Sequence, residues 1–332
     1  MVRMILDVDS AGDDILAILF ASRHPEIQLE GVTTVMGASG SIEQATRVAL
    51  NTLTRAERDD VPVAAGAYRP IVGHSEEDMQ APVHFEKTLH DRFGERLKGF
   101  NAPAPKPKRP ADGRHAVDFI LETVRQNPGE ITLVATGPFT NVAMALLQEP
   151  DLPKLVPECI VLGGTFHCPG NITPVAEYNI WADPEAAKLV MNSGMKLTIV
   201  GLDVCETNDA ADAMLTRDDL ADLAEHDVPL AGYLVEFLPI YIDIWREFFG
   251  LVGFPLDDVI AVALAIDPTL CTTDGPLFVD VELEGRIARG QTVAYRGFQI
   301  LPADGPRTAH ICTTIDGRRF VSLFKNTILG RI

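Results

Sequence analysis

Positive charge is what this 332-residue chain has least of. Its 28 Lys and Arg stand against 47 Asp and Glu, a net charge of −19 with histidine neutral. Such an acidic surface repels a nucleic-acid phosphate backbone and an anionic membrane, so neither is expected as a partner. Acidic solubility is reason enough for the excess. Cysteine is sparse too: Cys159, Cys168, Cys205, Cys271 and Cys312 are odd in number, scattered and without a C-x-x-C pair. That argues against a disulfide framework or a zinc site and for a reducing compartment. No apolar run approaches the roughly 18 residues a membrane span needs. The N-terminus enters an apolar strand without a basic, apolar and cleavage region. The expectation is a cytoplasmic protein.

What is present is an ordinary globular composition, 46% hydrophobic and 23% charged, long enough for one large core. Strand-like and helix-like stretches alternate. Met4–Leu6, Ile27–Val35, Val61–Ala65, Ile131–Ala135, Cys159–Leu162 and Leu197–Leu202 read as strands. Glu43–Leu53, Ala116–Gln126, Val142–Leu147 and a stretch from Asp183 to about Met191 read as helices. This alternation predicts an α/β fold with an open, mostly parallel central sheet, helices on both faces and a Rossmann-like core, in one domain. From His74 to Gly113 the pattern breaks into polar, proline-rich sequence. We expect a variable cover over 74–113, mobile around Ala102 to Pro110. A helical insertion is expected over 206–250, and short strands from Phe278 onward.

The densest chemistry is at the start. Asp7, Asp9, Asp13 and Asp14 crowd into eight residues around Ser10-Ala11-Gly12, between a strand and the apolar helix that begins at Ile15. Acids near a helix N-terminus complement its dipole, and one or two need no other explanation. Four are harder to account for, because like charges about 4 Å apart repel by roughly 4 kcal/mol at an effective dielectric near 20. A cation would hold them together, and hard oxygen ligands suit Ca²⁺ or Mg²⁺.

Other stretches add polar groups at strand ends and helix starts. Gly163-Gly164 precedes Asn171, Glu177 and Asn179, whose amides and carboxylate suit sugar hydroxyls or make an ordinary polar loop. The Thr136 carbonyl ends a strand, as a ligand or as a helix-entry group. Asp257-Asp258 opens the helix Val259–Ala265, as a cap region or as a second pair of acids for a shared cation. Tyr233, Phe237, Tyr241, Trp245, Phe248 and Phe249 recur at helical spacing, as core or as a wall for stacking a flat ligand.

Asp7-x-Asp9-x-x-x-Asp13-Asp14 resembles the DxDxxxDD signature of the inosine-uridine-type nucleoside hydrolases. Further landmarks of that family follow in order: Thr33-Thr-Val-Met-Gly37, Ala64-Ala-Gly66, Ala135-Thr-Gly-Pro-Phe-Thr-Asn141, Gly163-Gly164, Gly170-Asn-Ile-Thr-Pro174, Ala176-Glu-Tyr-Asn179, Asp183-Pro-Glu-Ala-Ala187, Gly201-Leu-Asp203 and Asp316-Gly-Arg-Arg-Phe320. The resemblance implies a nucleoside hydrolase-like fold and hydrolysis of the N-glycosidic bond of ribonucleosides, in purine or pyrimidine salvage, with a tightly bound Ca²⁺. It implies that Asp9, Asp14, the Thr136 carbonyl and Asp258 ligate the metal, with Asp7 supporting them. Asp13 would hold the ribose 2′-hydroxyl, Asn179 and Asp258 the 2′,3′ diol, and Asn171 and Glu177 the 5′-hydroxyl, with Leu162 where the family often has Met. Asp9 would take the proton of the attacking water, through an oxocarbenium-like transition state. A homodimer or homotetramer is implied by the same likeness.

Departures accompany the match. Ser10-Ala11 replaces Pro-Gly, and Ala38 stands where Asn usually follows the glycine. Asp257 occupies the place of a His that can protonate the departing base. Leaving-group activation then falls to Asp257 itself, to stacking by Tyr241 or Trp245, or to His90 in the cover, where Asp91 replaces the usual glycine. Two other readings stay open. One is a ribose- or nucleoside-binding protein that keeps the metal cradle with little turnover, or a hydrolase of another N-ribosyl substrate. The other is a Mg²⁺ phosphotransferase of the haloacid-dehalogenase type, which Ser10-Ala11 and the paired Asp13-Asp14 disfavour.

Overall fold

The computed structural model describes residues 1–74, 80–97, 106–297 and 305–332. Among these residues, eleven strands run in chain order as β1 (Val2–Val8), β2 (Ile27–Thr34), β3 (Val63–Ala65), β4 (Ile131–Ala135), β5 (Cys159–Leu162), β6 (Leu197–Val200), β7 (Met214–Leu215), β8 (Phe254–Pro255), β9 (Cys271–Val281), β10 (Thr292–Tyr295) and β11 (Ala309–Ile315). Nine form one sheet in the order β10-β9-β11-β6-β5-β4-β1-β2-β3, while β7 and β8 pair apart. Every pairing from β3 across to β11 is parallel, and β9 and β10 close the far edge antiparallel. The sheet is thus mostly parallel, as expected, and open.

Strand β1 shows why its sequence suits this place. Met4, Leu6 and Val8 face one apolar cluster and Ile5 the other, so alternate side chains supply the cores on both faces. One face is covered by α1 (Gly12–Arg23), α2 (Ile42–Arg55) and later helices of the chain. Helix α3 (Gln80–Leu97) touches the long helix described below. The opposite face is covered by α4 (Ala116–Gln126), α5 (Thr140–Gln148), α6 (Leu152–Leu155) and, beyond the short α7 (Tyr178–Ala182), α8 (Pro184–Met191). In α2, Ala45, Ala49, Thr52 and Leu53 are buried at helical spacing. The Ser41 hydroxyl accepts from Gln44 N at the N-terminus of α2, a cap worth about 1 kcal/mol.

The second half completes the first face with α9 (Arg217–Ala224), α10 (Pro229–Phe249), α11 (Asp257–Ile266) and α12 (Gly317–Leu329). Two features differ from the expectation of short strands alone after Phe278. Strand β9 already begins at Cys271, and α12 ends the chain as a helix. Asp316 caps α12 by accepting from Arg319 N, and Phe320, Phe324 and Ile328 recur every fourth residue into the core. In the 74–113 stretch, α3 extends further than the period near Phe85 to Leu97 suggests. Residues 75–79 and 98–105, with Ala102 to Pro105 of the expected mobile part, lie outside the described residues.

The strand order fixes where a ligand can enter. From β1 the chain goes out to β2 and β3, then returns to β4 on the other side of β1. Open α/β sheets bind ligands at the carboxyl ends of the strands where that reversal occurs. Asp7 and Asp9 stand at that end of β1, and Thr136 follows β4 directly.

Candidate functional site

The turn after β1 is strained. Ser10 has φ 61°, in the left-handed region that L-residues with side chains rarely enter. This turn brings the Ala11 N–H between two carboxylates, donating to Asp14 Oδ2 at 3.0 Å and to Asp9 Oδ1 at 3.3 Å. Asp9 Oδ2 accepts from the Ala38 N–H at 2.8 Å. The contact comes from backbone, so Ala at 38 still serves Asp9 where the family pattern has Asn. A Cβ added to Gly37 would lie 2.0 Å from Asp9 Oδ2, so only glycine fits there.

Asp14 is buried and accepts from Thr136 Oγ1 at 2.6 Å. The Thr136 carbonyl accepts from Asn179 Nδ2 at 2.7 Å, and that amide also reaches the Leu162 carbonyl at 3.2 Å. The ends of β1, β4 and β5 are therefore tied together beneath the acids. Asp7 lies below, fully buried, accepting from Thr33 Oγ1 at 2.5 Å and Asn141 Nδ2 at 2.8 Å. Burial pushes its carboxyl up to about 7.

From the other end of the chain, Asp257 and Asp258 sit in the first turn of α11, 5% and 2% exposed. One carboxylate oxygen of each, Oδ1, has no hydrogen-bond partner among the described residues. Asp258 faces Asp13, Asp14, Asp9 and Asp257; burial and these charges push it well above the usual carboxylate range. Asp9 is pushed well up by burial and by Asp14. Asp13, partly exposed at the rim, is raised to about 7 by burial and Asp14 while Asp258 hydrogen-bonds to it. Acids from residue 9 and residue 258 thus meet in one place.

Glu177 caps α7, accepting from Asn179 N at 2.7 Å, Gly164 N at 3.0 Å and Ile180 N at 3.1 Å, and burial raises it to about 7. Asn171 Oδ1 holds the Tyr178 N–H at 3.0 Å. The aromatic stripe of α10 divides. Tyr233 lies under the Arg55 guanidinium, 3.8 Å from its ring centroid, whereas the Tyr241 ring packs against Gly12 at the acidic turn. Trp245 donates from Nε1 to Glu206 at 3.4 Å. His90 is exposed on α3 with its ring beside Gly94, and nothing among the described residues links it to the acids.

Glu206 is the residue that sequence reasoning missed. It follows β6 at the carboxyl end of the sheet, hydrogen-bonds Trp245, Asn171 and Asp257, and is raised chiefly by burial. Asp257 is raised well above the usual range by burial, Glu206 and Asp13. A carboxylate shortly after a strand end was the available signal; its partner Asp257 is distant in sequence.

Among the described residues, the charged neighbours that act most on Asp7, Asp9, Asp13, Glu177, Asp257 and Asp258 are other carboxylates. Among the described residues, no three His, Cys, Asp or Glu side chains stand in a ready-made ion-coordinating arrangement. Asp9 and Asp14 turn instead to backbone and hydroxyl donors. The donor chemistry nonetheless suits a hard cation: oxygen atoms only, buried, mutually repelling, with the Asp258 Oδ1 unpartnered.

A family model described as inosine-uridine preferring nucleoside hydrolase matches residues 4–322. The chain is 37% identical to the inosine-uridine preferring nucleoside hydrolase of Leishmania major, over 88% of this chain and 87% of that protein. Among solved structures, it resembles a plant nucleoside hydrolase with a TM-score of 0.85 and 31% identity, covering 98% of each chain. It also resembles the purine-preferring ribonucleoside hydrolase of Gardnerella vaginalis, with a TM-score of 0.85 and 30% identity, covering 99% of this chain and 98% of the other. The chain therefore belongs to the inosine-uridine preferring nucleoside hydrolase family, as an N-glycosidase of ribonucleosides.

Proposed function

We propose that the chain hydrolyses ribonucleosides to ribose and free base with the help of a calcium ion held by Asp9, Asp14, Asp258 and the Thr136 carbonyl. The observation that carries this reading is the meeting of Asp9, Asp14 and Asp258, all buried, at the reversal point of the sheet. A bound Ca²⁺ would supply the positive charge this cluster lacks, hold sugar hydroxyls and lower the pKa of water nearby.

The protein groups have separable tasks. Asp9, steadied by the Ala38 and Ala11 N–H groups, takes the proton of the water that attacks the anomeric carbon. Asp13, at the rim, accepts the 2′-hydroxyl, and Asn179 and Asp258 grip the 2′,3′ diol. Asn171 and Glu177 receive the 5′-hydroxyl, beside Leu162. As the C1′–N bond lengthens, positive charge grows on the ribosyl ring, and the surrounding carboxylates stabilise it without having to reorganise. Asp7 holds the end of β1 from beneath. Tyr241 and Trp245 would stack the base and Asp257 would face the departing side, whereas exposed His90 would need the cover to bring it in.

The same reading includes cytoplasmic salvage of nucleosides, a homodimer or homotetramer, a cover over 74–113 and a helical insertion over 206–250 in a single domain. No helix among the described residues is long and apolar enough to cross a membrane. The test is ribose release from a panel of purine and pyrimidine ribonucleosides, with calcium or with chelator. Release that stops with chelator and in Asp9→Asn supports the reading. Binding of nucleosides without any release would replace it with a binding function.

A further inference from the structure

The antiparallel edge of the sheet reaches into the site. Thr292, the first residue of β10, is buried against the turn that follows β5. Its hydroxyl accepts from the Thr165 N–H at 3.1 Å and donates to the Thr165 carbonyl at 2.6 Å. One hydroxyl thus satisfies both backbone polar groups of that residue. Gly164, just before it, has φ 86°, and a Cβ there would lie 2.9 Å from Thr292 Cγ2. The Gly164 N–H donates in turn to Glu177 Oε2 at 3.0 Å. Gly290 packs on the backbone of α7, the helix that Glu177 caps; a Cβ at Gly290 would come within 3.2 Å of Trp181 Cα. Glu177 therefore rests on residues 290–292 by two routes, through Gly164 and through α7. The remainder of the turn is held from β6. Gly163 N donates to the Val200 carbonyl at 2.9 Å, and the Gly164 carbonyl accepts from Leu202 N at 3.0 Å. Asp203 accepts from Phe166 N at 2.9 Å and His167 N at 2.6 Å. Thr165 lies between these anchors, and β10 holds it.

We infer that Thr292 is a positioning residue for the 5′-hydroxyl of the substrate, acting through Gly164 on Glu177. The inference rests on the hydrolase reading, in which Glu177 receives that hydroxyl, and adds the group that fixes where Glu177 stands. A methyl in place of Oγ1 needs about 3.5 Å from the Thr165 carbonyl oxygen, where 2.6 Å separates the two atoms now. The Thr165 peptide must then retreat by roughly 1 Å, drawing the Gly164 N–H away from Glu177. A displacement of that size at a substrate-orienting group costs on the order of a hundredfold. Only a substrate that carries the 5′-hydroxyl feels it.

Matched substrates test this: inosine against 5′-deoxyinosine, and uridine against 5′-deoxyuridine, with release of free base as the readout. The wild type should prefer the 5′-hydroxylated member of each pair in kcat/KM. Thr292→Val should shrink that preference at least about tenfold, chiefly by raising KM for inosine or uridine, and leave the 5′-deoxy partners within about twofold. Thr292→Ser keeps the hydroxyl and should keep the preference. Should Thr292→Val not fold, Thr292→Ala removes the hydroxyl without adding bulk and should shrink the preference in the same direction. An unchanged preference in the variant lacking the hydroxyl, or equal losses on both members of a pair, overturns the inference and leaves the hydrolase reading intact. So does a preference lost in Thr292→Ser, or a wild type indifferent to the 5′-hydroxyl. No base released from any of the four overturns both.

Discussion

Asn141 donates from Nδ2 to Asp7 Oδ1 at 2.8 Å and to the Thr34 carbonyl at 3.0 Å, while its own Oδ1 accepts from Ala67 N at 2.9 Å. One fully buried amide on α5 thereby joins the ends of β1, β2 and β3 beneath the acids. Asn141→Ala leaves a carbonyl and an N–H unpartnered in the core and takes one donor from Asp7. A loss of about 3 kcal/mol is expected, read as a lower urea midpoint with an unchanged slope. A shift within error would mean that water replaces this amide at little cost.

Gly37→Ala should damage chemistry more than folding. The new methyl would lie 2.0 Å from Asp9 Oδ2 and must displace that side chain. A misplacement of about 1 Å at a reacting group costs on the order of a hundredfold in kcat, while overpacking costs about 1–3 kcal/mol of stability. Steady-state kinetics beside thermal melts separate the two effects. Unchanged kcat would show that Asp9 does not act from this position.

Asp9→Asn keeps the shape and removes the proposed base. Ribose release should fall by roughly 10²–10⁴-fold. Undiminished release would assign the proton transfer elsewhere.

Calcium should stabilise the fold through the same acids. At about a hundred times its dissociation constant, a bound ion adds about 2.7 kcal/mol. The thermal midpoint in calcium should therefore exceed that in chelator, and Asp258→Asn should remove most of the difference. Equal midpoints for the wild type in the two conditions would count against a resident ion.

Glu177 makes stability depend on pH in a defined window. Its carboxyl is raised from 4.5 to about 7 by burial. The folded chain therefore holds the proton more tightly than the unfolded one. The contribution is full below about pH 4.5 and is lost as pH rises to about 7. In chelator, the wild type should lose about 3 kcal/mol more than Glu177→Gln across that window. Parallel pH profiles for the two would refute this role.

The parts of this site that the sequence revealed are those carried by neighbours in the chain. Asp7, Asp9, Asp13 and Asp14 are visible because one strand, one turn and one helix start hold all four. Asp257 and Asp258 mark themselves as a pair at a helix start. Glu206 gives no such sign, since what distinguishes it is its hydrogen bonds to Asn171, Asp257 and Trp245, all remote in sequence. The sheet was legible from alternation, but the antiparallel edge was not. The pairing of β9 with β11 and β10 depends on register between segments that look alike in composition. Helix α12 was obscured by Arg318, Arg319 and Lys325, which lie between its apolar positions.

Strand β1 lies inside the sheet, yet the partner of its acids arrives with α11, late in the chain. During synthesis from the N-terminus, the ribosome releases Asp9 and Asp14 long before Asp258. A nascent chain thus carries only part of its acidic cluster until most of the polypeptide has emerged. With the ion held as proposed, activity in this architecture has no partial form: it arrives only when the two ends of the polypeptide close on each other.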